Sequence, residues 1–165
     1  MAYDFCETRA GEHCPSFLGQ WQGALMCDDF SGYKAGFARG ITEAGCLAHA
    51  RRKFFDLHVS NKSQMAQQAL NYIGQLYDVE RQVIHLDADD RRQIRQTRSK
   101  PLADALHQWM VLQRTKITDG SATAKTLVNG LKRWDALTRF VEDLGAVGCS
   151  PIHHPWDDGL SGLCF

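Results

Sequence analysis

The sequence predicts an α+β protein that is mostly α, and three observations support that class. Short apolar runs punctuated by glycine fill about residues 1–58. From 59 to 143 the apolar residues recur at spacings of three and four, which places them on one face of a helix. From 144 to 165 neither period continues and turn formers prevail, so an irregular, divergent tail is expected there.

In the first zone, Ala2-Tyr3-Asp4-Phe5 reads as a strand, and Gly23-Ala24-Leu25-Met26-Cys27 as a second that ends at Asp28 and Asp29. A short helix follows over Gly32–Arg39. Thr42 to Ala48 reads as a third strand, running into a basic helix start at Arg51-Arg52-Lys53. Such brief runs fit buried strands, although periodicity alone does not separate them from helix. In the second zone Ser60 or Ser63 caps a helix carrying Ala66, Leu70, Ile73, Tyr77, Val83 and Ile84. Asp87, Asp89 and Asp90 suit the next helix start, where the dipole favours negative charge. Pro101 demands a kink or restart, because proline lacks an N–H and fits only a first turn. After a turn at Asp119-Gly120-Ser121, one last helix is expected over Ala122–Asp143, with Leu127, Leu131, Trp134, Leu137, Phe140 and Val141 inward. Gly130 inside it costs about 1 kcal/mol relative to alanine.

Composition narrows the function classes. The 165 residues are 44% hydrophobic and 23% charged, an ordinary globular balance. Nineteen basic and nineteen acidic residues cancel, so the whole molecule is not steered towards DNA or membrane, and any nucleic-acid contact must be local. No apolar run approaches the roughly 20 residues of a membrane span. The start, Met1-Ala-Tyr-Asp-Phe-Cys6, has no basic or apolar leader, which points to the cytoplasm and to reduced thiols for the six cysteines. Cys46 and His49 have metal-like spacing, but a zinc site needs about four ligands in matched pairs, so inert cysteines are expected.

Three stretches could carry chemistry. Asp28, at the end of a strand with Asp29 beside it, is the residue to hold a hard cation such as Mg²⁺, which prefers carboxylate and water oxygens; a solvated loop or a helix cap explains the pair equally well. His49, Arg51, Arg52 and Lys53 fall within one or two helical turns and make a cationic face for phosphate, or an ordinary solvated surface above Phe54 and Phe55. Arg91, Arg92, Arg95, Arg98 and Lys100 form a third, acid-free stretch that could track a DNA backbone, or be a charged helix face balanced by the preceding aspartates.

Three segments, in order, resemble the insertion sequence 66 transposases. They are Phe17-Leu18-Gly19-Gln-Trp21-Gln-Gly23 leading into Cys27-Asp28-Asp29-Phe30-Ser31-Gly32-Tyr33; Gly45-Cys46-Leu47-Ala48-His49-Ala50-Arg51-Arg52-Lys53-Phe54-Phe55; and a block including Leu76-Tyr77, Glu80, Arg91 to Arg95, Pro101-Leu102 and Leu131-Lys132-Arg133-Trp134. The resemblance implies part of an RNase H-like α/β core followed by a helical insertion block. It implies a DDE triad binding two Mg²⁺ ions, with Asp28 as the second acid, and DNA element ends as substrate. Family members carry the first aspartate on a strand upstream of this segment, and a glutamate after an Asn-Asn pair; here Glu142-Asp143 runs instead into Leu144-Gly-Ala-Val-Gly-Cys149. With one acid of three matched, the expectation is a transposase fragment, truncated at both ends and inactive alone. The other readings are a DNA-binding or interfering partner of an intact transposase, and a functionless remnant.

Overall fold

The computed structural model describes residues 18–27 and 31–142. The strand expected at Ala2–Phe5, the tail from 144, and Asp28 and Asp29 all lie outside these residues. Strand β1 (Ala24–Cys27) pairs in parallel with β2 (Thr42–Gly45), Ala24 opposite Thr42 and Cys27 opposite Gly45. Parallel strands need a crossover of a dozen or so residues. Here the described part of it is a 3₁₀ turn, Ser31–Tyr33, and helix α1 (Lys34–Ala38). Gly40, at φ 101°, turns the chain back into β2.

The third expected strand is shorter than its apolar run suggests. It stops at Gly45, and helix α2 (Leu47–Asn61) begins four residues before the predicted start at Arg51. Cys46 remains extended at the helix entry and accepts the first turn's bond from the Ala50 amide at 3.3 Å. Because α2 runs on to Asn61, Ser60 lies inside it, and the cap of α3 (Gln64–Val83) is Ser63, whose Oγ accepts from the Ala66 amide at 3.2 Å. The boundary read near residue 58 therefore falls within one continuous helix.

Helix α3 buries Ala66, Ala69, Ile73, Leu76, Tyr77, Glu80 and Val83, a stripe of threes and fours. Gly74 lies on the same helix, and a methyl group there would meet nothing within 4 Å. Gly74→Ala should therefore raise stability by about 1 kcal/mol, the helix-propensity difference, with no steric cost; urea unfolding will show it as a higher midpoint at constant slope.

Asp87 caps α4 (Ala88–Ile94) by accepting from the Asp90 amide at 2.9 Å. The proline restart takes a specific form. Arg95–Ser99 is a π-helical turn in which the Lys100 amide bonds to the Arg95 carbonyl, five residues back, and α5 (Lys100–Thr115) follows with Pro101 in its first turn. The widened turn gives the proline ring space that a regular helix would deny it.

The last predicted helix is broken. Helix α6 (Ala122–Lys132), capped by Ser121, stops at Arg133, α7 (Trp134–Thr138) follows, and Arg139–Glu142 is 3₁₀. Gly130 has a packing reason: a methyl group there would stand 2.7 Å from Met110 Cε. Leu47 and Phe54 of α2, Ile73 and Leu76 of α3, Leu106 and Met110 of α5, and Leu127 of α6 share one apolar core. The helical block is thus a packed bundle, as its stripes predict.

Candidate functional site

The sheet presents the carboxyl ends of its two strands on one side, where open α/β sheets generally bind ligands. Cys27, the last residue of β1, is 2% exposed. Its carbonyl accepts from the Cys46 amide at 3.2 Å and from an Arg133 terminal nitrogen at 3.3 Å. That guanidinium also donates to Glu43 Oε1, at 2.5 Å from its terminal nitrogen and 3.1 Å from Nε. Arg139 Nε adds a bond to the Glu43 backbone carbonyl at 2.9 Å. The segment after α6 therefore sits directly on the strands. Gly45 permits it: a Cβ there would stand 3.0 Å from the Leu137 amide nitrogen and 3.1 Å from the Ala136 carbonyl carbon.

This arrangement was hidden in the sequence. Glu43 reads as an interruption in a strand, and Arg133 as one letter of a helix. Nothing local pairs residues 90 positions apart; the nearest signal is the arginine at the break between two helices.

The basic residues of α2 are not one open cationic patch. Arg52 pairs with Asp56 at 2.8 Å, both largely exposed. Lys53 Nζ donates to Asn129 of α6 at 2.8 Å, and the Arg51 guanidinium lies 6.0 Å from the Tyr77 ring centroid. His49 Nδ1 is buried. Exposed ion pairs contribute little to stability, so Arg52 can exchange Asp56 for a phosphate at small cost.

The second basic stretch divides by direction. Arg92, Arg98 and Lys100 are exposed, Arg98 donating to Gln82 Oε1 at 2.6 Å and Lys100 standing 3.7 Å from Asp104. Arg91 is half-buried, with a bond to the Leu86 carbonyl at 3.1 Å. Arg95 instead turns inward. Its Nε and a terminal nitrogen donate to the two oxygens of Glu80 at 2.8 and 2.6 Å, with side-chain exposures of 13% and 2%. Its guanidinium also lies 5.8 Å from the Phe140 ring centroid. Trp109 and Trp134 are partly buried against the core, tilted towards Tyr72 and His107 respectively.

The pattern of the transposase IS66 family matches residues 1–147, nearly the whole chain. The chain belongs to the IS66 transposase family. Among similar proteins of this kind are three from Sinorhizobium fredii described as uncharacterized. Protein y4hP is 34% identical over 158 residues, covering 86% of this chain and 29% of its own length. Protein y4qI is 33% identical over 151 residues, covering 87% and 28%, and y4jD is 31% identical over 150 residues, covering 87% and 29%. The chain thus spans under a third of the length of the relatives it matches. No solved structure matches it.

DDE transposases generally use divalent metal. Among the described residues of this IS66 family chain, no group of three or more histidines, cysteines, aspartates or glutamates could hold such an ion. Glu43, the acid on β2, is taken up by Arg133. The described residues by themselves do not fit the metal. No helix among them is long and apolar enough to cross a membrane.

Proposed function

We propose that this chain is part of a DDE transposase: the strand that leads into the catalytic Asp28, joined to a DNA-contacting helical insertion. The observation that carries the reading is the match to the transposase IS66 family over residues 1–147. The RNase H-like character of the sheet belongs to this proposal, and the parallel β1–β2 pair is compatible with it. Of the triad implied by the resemblance, Asp28 alone is matched, so the chain by itself contacts DNA without cutting or joining strands. Mg²⁺ is the metal of the complete reaction in this reading, with Asp28 as one ligand. Mixed complexes with an intact transposase follow naturally, since a chain that binds DNA but does not cut would interfere there.

Arg51, Arg52 and Lys53 on α2, and Arg91 and Arg92 on α4, are the proposed backbone contacts, with His49 beside the first set. Arg95, bound by Glu80, is their structural support and not a phosphate ligand. A gel shift with duplex DNA across a salt series tests this. Each phosphate contact contributes a slope of about −0.9 in log affinity against log salt. Arg52→Ala and Arg92→Ala should each weaken binding to every DNA sequence alike and flatten that slope by about 1. If the wild-type chain fails to shift DNA even in low salt, the DNA-contact proposal is wrong.

A further inference from the structure

Arg133 belongs to neither of the helices it separates, with φ −110° and ψ 18°. From that break its side chain, 12% exposed, reaches both strands. A guanidinium carries five donors in a rigid fork, so one arginine can serve a carboxylate and a carbonyl together. Here it does so: Glu43 Oε1 takes Nε and a terminal nitrogen, and that nitrogen also approaches the Cys27 carbonyl at 3.3 Å and Cys27 Sγ at 3.5 Å. The Cys27 carbonyl accepts from the Cys46 amide as well, so both of its lone pairs are used. That carbonyl is half of the planar peptide unit whose other half is the amide of Asp28. Its orientation is therefore held from the β2 side by Cys46 and from the helical block by Arg133. The anchor is itself held, because Arg139 grips the backbone of Glu43 at 2.9 Å.

We propose that Arg133 is a positioning residue for Asp28: through the Cys27 carbonyl, with Glu43 as its anchor, it fixes the peptide unit from which the acid follows. The inference rests on reading Asp28 as the catalytic acid. It gives the insertion a second task beside DNA contact, because the strand end is correctly aimed only while the segment after α6 is docked.

The test is ¹⁵N relaxation on the full chain, comparing wild type with Arg133→Met, Arg133→Lys and Glu43→Gln, with a thermal melt on each. In the wild type the Cys27–Asp28 amide should show a rigid order parameter of roughly 0.85. Arg133→Met should lower it below about 0.6 while amides in α3 and α5 stay rigid. Arg133→Lys should fall between, since one ammonium cannot reproduce the fork. A lower melting temperature with an unchanged order parameter at Cys27–Asp28 would mean that Arg133 only stabilises the fold, and would overturn the proposal. So would a wild-type amide that is already mobile. Should Arg133→Met not fold, Glu43→Gln decides: loosening of the same amide supports the clamp, and no change rejects it. Asp28→Asn, assayed for interference with an intact family transposase, tests the catalytic reading separately. Failure there with the relaxation result intact would leave a genuine clamp on a strand end that bears no catalytic acid.

Discussion

Glu80→Ala is expected to lower stability by about 3–5 kcal/mol, the range for breaking one side of a buried ion pair. Glu80 sits in α3 with its side chain 2% exposed, and both its oxygens are engaged by Arg95. Removing the carboxylate leaves a guanidinium facing the Phe140 ring and the core, with no acid to receive its donors. Arg95→Ala should cost a similar amount by the converse route, an uncompensated carboxylate. The informative variant is the double replacement by apolar residues of similar volume, Glu80→Leu with Arg95→Met. It removes the desolvation penalty along with the attraction, and is expected to recover most of the loss. Urea unfolding of the four proteins closes the cycle. A single variant within 1 kcal/mol of wild type would show that water reaches the pair.

Gly45→Val should be nearly as damaging, by about 3 kcal/mol. The obstruction there includes backbone, the Leu137 amide nitrogen at 3.0 Å and the Ala136 carbonyl carbon at 3.1 Å, so shortening Leu137 cannot relieve it. Helix α7 must lift from β2, and the Arg133 and Arg139 bonds to Glu43 lengthen with it. Gly130 is the contrasting case. A methyl group there meets only the end of the flexible Met110 side chain, and the gain in helix propensity opposes the small displacement, so Gly130→Ala should stay within about 1 kcal/mol of wild type. Thermal melts compare the two glycines directly. Equal losses at both would mean that the α7–β2 approach is looser than these distances imply.

Helix existence and the capping points were legible because they depend on neighbours in sequence. Ser63, Asp87 and Ser121 each accept the amide three residues on, as a side chain at a helix entrance does. Pro101 announced its restart for the same reason. Boundaries decided by tertiary packing were not legible. Leu47–Ala50 is apolar enough for a strand, and becomes helix because β2 ends where Gly45 meets α7. The break at Arg133 has no proline to mark it, and the pull of Glu43 comes from 90 residues away. Charge direction was equally hidden. Five bases without an acid read as one face, yet Arg95 leaves it because its partner lies on α3, 15 residues earlier. Of the proposed site, Asp28 and the basic residues could be named from sequence; the arginine that holds the strand before Asp28 could not.

The π-helical turn at Arg95–Ser99 has a consequence for how this segment tolerates change in length. One residue of an α-helix advances the rotation by about 100°. Each residue gained or lost there thus rephases everything on its amino side against everything on its carboxyl side. Deleting one residue from the turn would restore regular winding, yet swing Arg91 and Arg92 about 100° around the axis relative to α5 and crowd the ring of Pro101. In this stretch the number of residues between Glu80 and Pro101 matters more than their identity, so natural variation should appear as substitutions, with insertions and deletions excluded.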